Sequence, residues 1–458
     1  MKREVKMSKH LEIYIHIPFC VKKCDYCDFL SDRADCKTKE EYVDALIKEI
    51  ELSKNVLNGY EVDSIFFGGG TPSILESHLF ECIMNAVKKY ANINENAEIT
   101  IECNPGTLTR EKLEVYKKTG VNRLSIGLQS ANDDELKSIG RIHTWQEFLD
   151  NYRISRECGF DNINIDLMSA LPGQTISSYN ETLEKVVALN PEHISAYSLI
   201  VEEGTIMYDR VNEAALQGKD ILPDEDTERE MYYMTKNILE ENGYHRYEIS
   251  NYSKEGMECR HNVGYWQRKN YIGFGIGAAS LLENERYNNI SDLNKYIAFI
   301  NEIYNCEDNM DEMTAFQYGS EEMMDYLFED EDDYEFENNN QQSREDESVF
   351  EEKIYRKKSD NDTDFDTDYN RLGSIHKNIE RLSKNDQMEE FMFLGLRMME
   401  GVNKTKFETL FNKKIENVYG NVLEKLTQEK LLKTENDNIK LTERGIDVSN
   451  VVLSEFLL

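Results

Sequence analysis

Six short β-rich runs alternate with helix-like segments between Glu12 and Ile200. After the second run, apolar residues recur every four positions at Leu75, Leu79, Ile83 and Val87, which predicts an amphipathic helix. Repeated strand–helix units with parallel strands predict an α/β fold. Six units can form an open, partial (β/α)6 barrel or a flat doubly wound sheet. The six predicted strands are Glu12–Ile17, Ser64–Phe67, Glu98–Glu102, Arg123–Leu128, Asn162–Leu167 and His193–Ile200.

Each of the first five predicted strands ends in, or leads directly into, polar or glycine-rich residues. In parallel α/β barrels the carboxyl ends of the strands converge on one mouth, and ligand-binding groups gather there. We therefore favour the partial barrel and predict one ligand site at its mouth. In strand order, the residues are Cys20-x-x-x-Cys24-x-x-Cys27, Gly68-Gly69-Gly70-Thr71-Pro72, Glu102 with Asn104-Pro105-Gly106, Gln129, and Asp166 with Leu171-Pro172-Gly173.

Cys20, Cys24 and Cys27 are the strongest chemical signal in the sequence. Three close thiolates can surround a compact metal centre, and soft sulfur ligands select zinc or iron–sulfur. A structural zinc site needs a fourth ligand, and no second Cys or His pair follows at a suitable spacing. Three cysteines without a fourth favour a [4Fe–4S] cluster with one open iron. The alternatives are a redox Cys24-x-x-Cys27 pair, which leaves Cys20 unexplained, and three unrelated buried thiols.

The composition limits which partners the protein can bind and in which compartment it is expected. The chain has 88 acidic against 53 basic residues, a net charge of −35, which argues against nucleic acid because phosphate contacts need clustered Lys and Arg. Nine Cys in 458 residues are too sparse for a disulfide framework. No secretory signal or membrane-spanning run is evident, so we predict a cytoplasmic protein with free thiols.

One segment carries much of the negative charge. Residues 320–370 contain 20 acidic and 5 basic side chains, which is typical of a solvated, disordered insertion. The alternating Asp360, Asp362 and Asp364 suggest a calcium loop, but Phe365 and Arg371 stand where such a loop needs Gly and Glu. We predict a tail (1–11), a barrel with its extension (12–285), a connecting helical segment (286–319), an acidic insertion (320–387) and a C-terminal domain (388–458).

The sequence around these motifs resembles the radical S-adenosylmethionine (SAM) superfamily. It is most similar to the branch that contains oxygen-independent coproporphyrinogen III oxidase and the heme chaperone HemW. The resemblance runs from about Glu12 to Leu282 and resumes at residues 388–402. The matching segments are Y-I-H-I-P-F-C (14–20), Y-C-D-F (26–29), F-F-G-G-G-T-P-S (66–73), E-C-N-P-G-T-L (102–108), R-L-S-I-G-L-Q-S (123–130) and D-L-M-S-A-L-P-G-Q-T (166–175).

The resemblance implies a role for each matched residue. The three cysteines hold the cluster, and the amino and carboxylate groups of SAM occupy its free iron. Glycines let the backbone approach SAM closely, and the carboxylate, Gln and Arg side chains offer it polar contacts. For Glu102 or Asp166 alone, a barrel-rim salt bridge is the alternative. The implied SAM-binding residues are Tyr14, Tyr26, Gly69, Gly70, Thr71, Glu102, Gln129, Arg141 and Asp166; no catalytic residue is assigned.

Two departures from the oxidase pattern favour the chaperone. The cysteine pattern of the oxidase resembles C-x-x-x-C-x-x-C-x-C, with a fourth cysteine two residues after the third. Phe29 stands at that fourth position here. The oxidase also carries an extension before its first strand, whereas the first predicted strand here begins near Glu12. A phenyl ring can neither donate hydrogen nor bind a metal, so this position lacks the reactive group that the oxidase pattern supplies.

A further element of this branch is H-N-x-x-Y-W, which residues 261–266 match. We predict that His261 ligates heme iron and that Tyr265 and Trp266 offer flat apolar faces to the porphyrin. Packing of His261 in the interior is the alternative. Met231, Met234 and Met257 could also ligate iron, although methionine is usually core filler.

The C-terminal part begins near Met388 with a helix-like apolar pattern. Residues 409–426 predict a further helix, and residues 431–445 predict two short strands joined by Glu435-Asn436-Asp437-Asn438. This order resembles a winged-helix unit. Such folds often bind DNA, but without a basic excess we predict a lid or docking domain.

These features together predict a cytoplasmic protein that binds heme, a [4Fe–4S] cluster and SAM, and that transfers heme to an acceptor protein. The main alternative is a radical SAM enzyme that generates a 5′-deoxyadenosyl radical on a tetrapyrrole or other substrate. A protein that keeps the fold without the cluster chemistry is the third possibility. The sequence leaves the acceptor and the oligomeric state open.

Overall fold

The computed structural model describes residues 9–308 and 372–458, and its centre is a set of six parallel strands. They lie side by side in chain order. The predicted α/β class and partial barrel are therefore confirmed. The strands are β1 (Lys9–Ile17), β2 (Tyr60–Gly69), β3 (Asn92–Cys103), β4 (Arg123–Gln129), β5 (Ile163–Ser169) and β6 (His193–Ser198).

Helices follow the strands along the chain, as the apolar periodicity predicts. Leu79, Ile83 and Val87 are buried on one side of the helix after β2. Gly120 ends the next helix in the left-handed conformation, with φ of 99°. None of the helices described is long and apolar enough to cross a membrane. The helices of this part are α1 (Cys36–Leu52), α2 (Lys54–Leu57), α3 (Ser77–Tyr90), α4 (Arg110–Thr119), α5 (Asp133–Ser138), α6 (Trp145–Glu157), α7 (Ile176–Ala188), α8 (Ile206–Leu216) and α9 (Glu225–Glu241).

Alternate residues of the parallel strands face opposite sides, and the two sides differ in chemistry. The outward set, for example Ile13, Ile65 and Ile126, is apolar and fully buried. The inward set is mostly polar, so the barrel has a polar interior. Its rows, from the amino ends of the strands upward, are Glu12, Ser64 and Glu98; Tyr14, Phe66, Thr100 and Arg123; Glu102, Ser125, Asn164 and His193; and Gly127, Asp166 and Ser195.

Further strands extend the sheet on both sides of the parallel set. β9, β10, β11 and β12 continue beyond β1, and β8 and β7 continue beyond β6. The intervening helices are α10, which contacts β2, and α11, which packs on α1. These elements are β7 (His245–Arg246), β8 (Asn251–Ser253), α10 (Arg260–Trp266), β9 (Tyr271–Phe274), β10 (Ala279–Leu282), β11 (Glu285–Asn289), α11 (Leu293–Asp308) and β12 (His376–Arg381).

Glu49 of α1 fastens the β9–β11 extension to the barrel. Its carboxylate accepts hydrogen bonds from the Gly275 amide at 2.8 Å, the Asn289 side-chain amide at 2.7 Å and the Tyr296 hydroxyl at 2.5 Å. Burial raises the pKa of Glu49 to about 7, although these three hydrogen bonds oppose the shift. The folded protein therefore binds this proton more tightly than the unfolded chain.

We expect Glu49→Gln to flatten the pH dependence of stability between about pH 4.5 and pH 7. A carboxyl whose pKa is raised by folding stabilises the protein below its folded pKa, and the free energy of unfolding falls as pH rises through this range. Urea unfolding of wild type and variant at pH 5 and pH 8 measures how the free energy of unfolding changes with pH. Glu51→Gln is the matched control, since the pKa of Glu51 is lowered in the folded protein. Removing that carboxyl should change the pH dependence of the free energy of unfolding in the opposite direction. Equal pH dependence in Glu49→Gln and wild type would contradict the assignment.

The acidic insertion predicted over residues 320–387 ends earlier than the sequence indicates. Residues 320–371, including the alternating run from Asp360 to Asp364, lie outside the described residues. From Leu372 the chain forms a short 3-10 turn and then β12, which pairs antiparallel with β11. Leu372 and Ile375 are buried in the main core. The prediction is wrong for residues 372–387, because an acidic composition upstream does not reveal a strand whose partner lies far earlier in the chain.

We expect two nested deletions to differ in stability. Replacing residues 320–370 by a short Gly/Ser bridge should leave the melting temperature nearly unchanged, because that composition cannot offset its own ordering entropy. Extending the deletion to Lys384 should destabilise the protein by several kcal/mol, since truncating even one buried side chain such as Leu372 or Ile375 costs about 2–5 kcal/mol. Thermal unfolding compares the two. Equal melting temperatures would show that β12 contributes nothing.

The C-terminal part forms its own small core around a three-stranded sheet of order β13-β15-β14. Asn436 and Asp437 have positive φ angles and make the predicted turn between β14 and β15. An ion pair joins this part to the barrel side, from Arg268 Nε to Glu390 at 2.5 Å. The elements are α12 (Lys384–Gly395), β13 (Val402–Asn403), α13 (Lys404–Phe411), α14 (Ile415–Gln428), β14 (Leu432–Glu435), β15 (Asn438–Leu441), α15 (Glu443–Asp447) and α16 (Ser449–Ser454).

Candidate functional site

The three cysteines lie on one loop at the carboxyl end of β1. Cys20 is buried, while Cys24 and Cys27 are partly exposed, and all three are free thiols. The Cys20 amide donates to the Asp32 carbonyl at 3.0 Å, and the Cys27 amide donates to the Cys24 carbonyl at 3.2 Å. These backbone bonds close the loop on itself and hold the three thiols at the barrel mouth.

Glycines at the carboxyl end of β2 let a second loop pack directly against the cysteine loop. A Cβ on Gly70 would lie 2.7 Å from the Phe19 carbonyl oxygen, and one on Gly69 would lie 2.5 Å from the His16 ring. Gly69 also has φ of 110°, a conformation that favours glycine. The neighbouring Thr71 amide donates to the Phe19 carbonyl at 2.8 Å. A larger side chain at Gly70 would push the second loop away from the cysteine loop, and one at Gly69 would collide with the His16 ring on β1.

A chain of polar contacts connects the cysteine loop to Arg141. The Thr71 hydroxyl lies 3.5 Å from Cys20 Sγ and accepts a hydrogen bond from the Asn104 side-chain amide at 2.8 Å. Arg141 donates to the Asn104 side-chain carbonyl at 2.8 Å and to the Gly127 carbonyl at 3.1 Å. Asn104, which the sequence places at the mouth without a role towards SAM, thus orients both Thr71 and Arg141.

Glu102 and Asp166 bring two carboxyl groups into the barrel beneath the loops. Burial, and then the neighbouring Asp166, raise the pKa of Glu102 to about 8, although the Gly69 amide donates a hydrogen bond to it. Burial also raises the pKa of Asp166, which accepts from the Asn164 side-chain amide at 2.7 Å. Burial therefore favours the neutral form of Glu102, which can donate as well as accept a hydrogen bond.

The remaining predicted SAM contacts also lie in or near this mouth. Burial raises the pKa of the Tyr26 hydroxyl, and the nearby Arg141 opposes the shift. The Tyr14 hydroxyl lies 3.1 Å from His16 Nδ1. Gln129 is 7% exposed and has φ of 73°, which is strained for a non-glycine residue. A β-bulge between Gly127 and Gln129 accompanies this strain.

The three thiols at the mouth are soft sulfur donors, which suit iron–sulfur centres and zinc. Among residues 9–308 and 372–458, no three His, Cys, Asp or Glu side chains are placed to hold one metal ion. In a cluster each thiolate binds a different iron, so the sulfurs stand farther apart than around one ion. Burial raises the pKa of the Cys27 thiol, so a bound metal would have to supply the stabilisation of its thiolate.

His261 occupies the opposite end of the barrel from the cysteines. It is 1% exposed, and its ring nitrogens lie 2.8 Å from the Ser64 hydroxyl and 3.0 Å from the Tyr265 hydroxyl. Burial and the nearby Arg123 lower its pKa to about 3. Since both nitrogens are occupied, His261 cannot ligate heme iron in this conformation. The ligand role of His261 therefore stays a prediction, and in this structure α10 closes the base of the barrel.

Tyr265 and Trp266 are likewise engaged within the protein. The Tyr265 ring packs edge-on against His261, with ring centroids 4.7 Å apart. The Arg397 guanidinium covers the Trp266 ring at 4.4 Å from its centroid, so this face is not free for a porphyrin. Met231, one of the alternative ligands, is fully buried in the main core.

Several residues of the barrel interior, most of them polar, were not predicted as site residues. They line a cavity of about 170 Å³ together with Tyr14, Glu102, Asp166, His261 and Tyr265. The sequence does contain their signal: strict alternation of apolar and polar residues, as in R-L-S-I-G-L (123–128) and N-I-N-I-D-L (162–167). The added residues are Phe66, Arg123, Ser125, Asn164, Ser195, Tyr197 and Asn262.

Comparison with known proteins finds relatives along the whole chain. The radical SAM superfamily matches residues 14–186, and the HemN C-terminal domain matches residues 382–448. "Heme chaperone HemW" of Lactococcus lactis is 32% identical over 455 residues, covering 99% of this chain and 98% of the relative. The Bacillus subtilis protein of the same name is 31% identical over 445 residues, covering 97% and 98%.

A solved structure shares the fold. Coproporphyrinogen III oxidase (HemN) from Escherichia coli, described as a radical SAM enzyme, matches with a TM-score of 0.72. The match covers 98% of this chain and 90% of that one at 19% identity. At this identity the likeness concerns the fold alone.

Proposed function

Because the chain belongs to the heme chaperone HemW family of the radical SAM superfamily, we propose that it binds heme and transfers it to an acceptor protein. The observation that carries the proposal is the 32% identity over 99% of the chain to a relative of that name. The free thiols at the barrel mouth need a reducing compartment, so we place this activity in the cytoplasm.

Membership of the superfamily implies a [4Fe–4S] cluster and SAM. In our proposal Cys20, Cys24 and Cys27 hold the cluster, which supplies redox chemistry when bound. The protein orients SAM and excludes water from it. We assign SAM contacts to Tyr14, Tyr26, Gly69, Gly70, Thr71, Glu102, Gln129, Arg141 and Asp166, which lie at the mouth or in the interior directly below it.

Heme needs a larger apolar surface than the barrel interior provides, and the mouth offers one. Three exposed apolar side chains, Val21, Phe29 and Leu30, lie on the cysteine loop. Ile142, directly after Arg141, is 60% exposed, and Ile200, after β6, is 69% exposed. We call these five side chains the apolar rim. Phe29, at the position of the additional oxidase cysteine, is 64% exposed.

The loops that carry the apolar rim are tied to one another. The Asp25 amide on the cysteine loop donates to the Ile139 carbonyl at 3.1 Å. The Asp25 carbonyl accepts from the Met207 amide at 2.8 Å, at the start of α8. The rim is therefore held in place before heme arrives, which lowers the ordering cost of binding.

We expect Phe29→Ser with Ile142→Ser to weaken heme binding about 30-fold. Losing the burial of two apolar side chains costs about 2 kcal/mol in binding free energy. Heme titration followed by the Soret band measures this, with cluster content checked in parallel. Leu410→Ser is the control, because Leu410 is 59% exposed but lies on α13 of the C-terminal part. Unchanged heme affinity in the double variant would show that the apolar rim does not bind heme.

A further inference from the structure

The cysteine loop is not held in shape by burial of its own apolar side chains. Val21, Phe29 and Leu30 are exposed on it, and a side chain that stays in water contributes no burial energy. Tyr26 is partly buried and packs against a small apolar cluster that is separate from the main core. The buried members of this cluster are Ile139, Leu171, Leu199 and Met207. The shape of the rest of the loop therefore depends on its polar contacts.

Asp25, directly after Cys24, makes the contacts that tie this loop to its neighbours. Besides its backbone bonds to Ile139 and Met207, its carboxylate pairs with Arg210 of α8 at 3.0 Å. The side chains of Asp25 and Arg210 are 16% and 38% exposed, so water reaches the pair only in part. The backbone and the side chain of one residue therefore fasten the cysteine loop both to the chain around Ile139 and to α8.

The same carboxylate also touches the segment that leads to Arg141. A Cβ on Gly140 would lie 2.3 Å from Asp25 Oδ1, so the carboxylate rests directly on this glycine. Arg210 Nη1 donates to the Ser138 carbonyl at 2.6 Å as well as to Asp25. The guanidinium therefore bridges the cysteine loop and the segment before Arg141, to which we assign a SAM contact.

We propose that Arg210 is a positioning residue for the cluster and SAM: through Asp25 it holds the cysteine loop in its iron-binding shape and close to Arg141. The proposal rests on the proposed function, in which the three cysteines hold the cluster. Groups behind the ligands of a metal fix their orientation, and replacing such groups lowers metal affinity by about 10- to 100-fold. A loop that is already ordered also loses less freedom when the cluster assembles.

The alternatives are an ion pair without effect on the cluster and a simple effect of positive charge. Exposed ion pairs contribute little to stability, but neither end of this pair is fully exposed. If Arg210 acted only as a positive charge near an anionic cluster, removing the negative charge of Asp25 would strengthen iron binding. If Arg210 acts through Asp25, removing either partner weakens it. The two alternatives therefore predict opposite effects for Asp25→Asn.

The test measures iron loss from the anaerobically reconstituted full chain to a ferrous-iron chelator. We expect Arg210→Gln and Asp25→Asn each to lose iron about tenfold faster than wild type. Arg210→Lys, which keeps a cation for Asp25, should fall between wild type and Arg210→Gln. Lys118→Gln is the matched control and should lose iron like wild type. Its ammonium pairs with Glu81 at 2.8 Å between α4 and α3, in the last turn of α4, which precedes the amino end of β4.

A SAM titration of the reduced cluster, followed by EPR at equal cluster content, gives a second readout that a merely structural role would not change. We expect half-saturation at about tenfold more SAM in Arg210→Gln than in wild type, because the segment before Arg141 loses its bridge. The double variant Asp25→Asn with Arg210→Gln should be no worse than the more affected single variant, since the two residues act through one ion pair.

The outcomes separate this proposal from the alternatives and from the proposed function. Iron loss and SAM affinity like those of Lys118→Gln overturn it, provided that thermal unfolding shows the variants to be folded. Slower iron loss in Asp25→Asn, or effects that multiply in the double variant, also overturn it. If Arg210→Gln does not fold, Asp25→Asn decides, because it leaves α8 unchanged. A wild type that takes up no iron overturns the cluster assignment together with this proposal, whereas heme titration of the cluster-free chain tests heme binding separately.

Discussion

Replacing any one of Cys20, Cys24 or Cys27 with alanine should abolish the iron–sulfur cluster. With only three protein ligands available, losing one leaves the cluster two thiolates and an additional open iron. After anaerobic reconstitution, the iron and sulfide content of each variant should fall to near zero, and the visible charge-transfer absorption should vanish. Cys36→Ala and Cys82→Ala are the controls, because both thiols are exposed and lie outside the triplet.

The same variants separate the alternatives for this motif. A zinc site would yield zinc in place of iron on metal analysis. A redox pair of Cys24 and Cys27 would tolerate Cys20→Ala without change. A full cluster in the triple variant would show that the ligands lie elsewhere in the chain.

Removing the Glu98 carboxylate should lower the free energy of unfolding, and this is the second large effect that we expect. Glu98 is 3% exposed and accepts hydrogen bonds from two backbone amides at the start of α10 and from Cys259 Sγ at 3.5 Å. Glu98→Ala leaves these donors buried without an acceptor, which costs about 3 kcal/mol or more. Urea unfolding measures the loss. Because α10 carries His261, the variant should also loosen the base of the barrel.

Glu95→Ala is the matched control for this prediction. Glu95 lies on the same strand, β3, but is exposed, so its loss should change the free energy of unfolding by less than about 0.5 kcal/mol. Glu98→Gln keeps one acceptor oxygen and should fall between the two. If Glu98→Ala unfolds at the same urea concentration as Glu95→Ala, the capping role of Glu98 is wrong.

The features that could be predicted from sequence are those that local patterns determine. Each parallel strand follows from a run of β-branched and apolar residues, and the mouth follows from polar groups at the strand ends. The loop contacts among Cys20, Thr71 and Arg141 agree with one shared location. The same alternation carries the signal for Arg123, because it puts this residue on the polar side of β4.

The features that could not be predicted depend on contacts distant in sequence. β12 is a strand because β11 offers it an edge, and nothing in its own residues identifies that partner. His261 stands in a motif typical of the family branch, yet its environment is set by Ser64 on β2 and Tyr265. Glu98 is recognisable as a cap only once α10 is placed beside β3.

The most direct test of the central claim is a paired assay on the anaerobically reconstituted full chain with SAM present. One half titrates heme, and the other incubates the protein with coproporphyrinogen III and a reductant. The triple cysteine variant serves as the cluster-free background. We predict saturable heme binding and no protoporphyrinogen above that background, because Phe29 replaces the additional oxidase cysteine. Protoporphyrinogen formation by wild type, with no saturable heme binding, would contradict the chaperone assignment and establish a radical SAM enzyme.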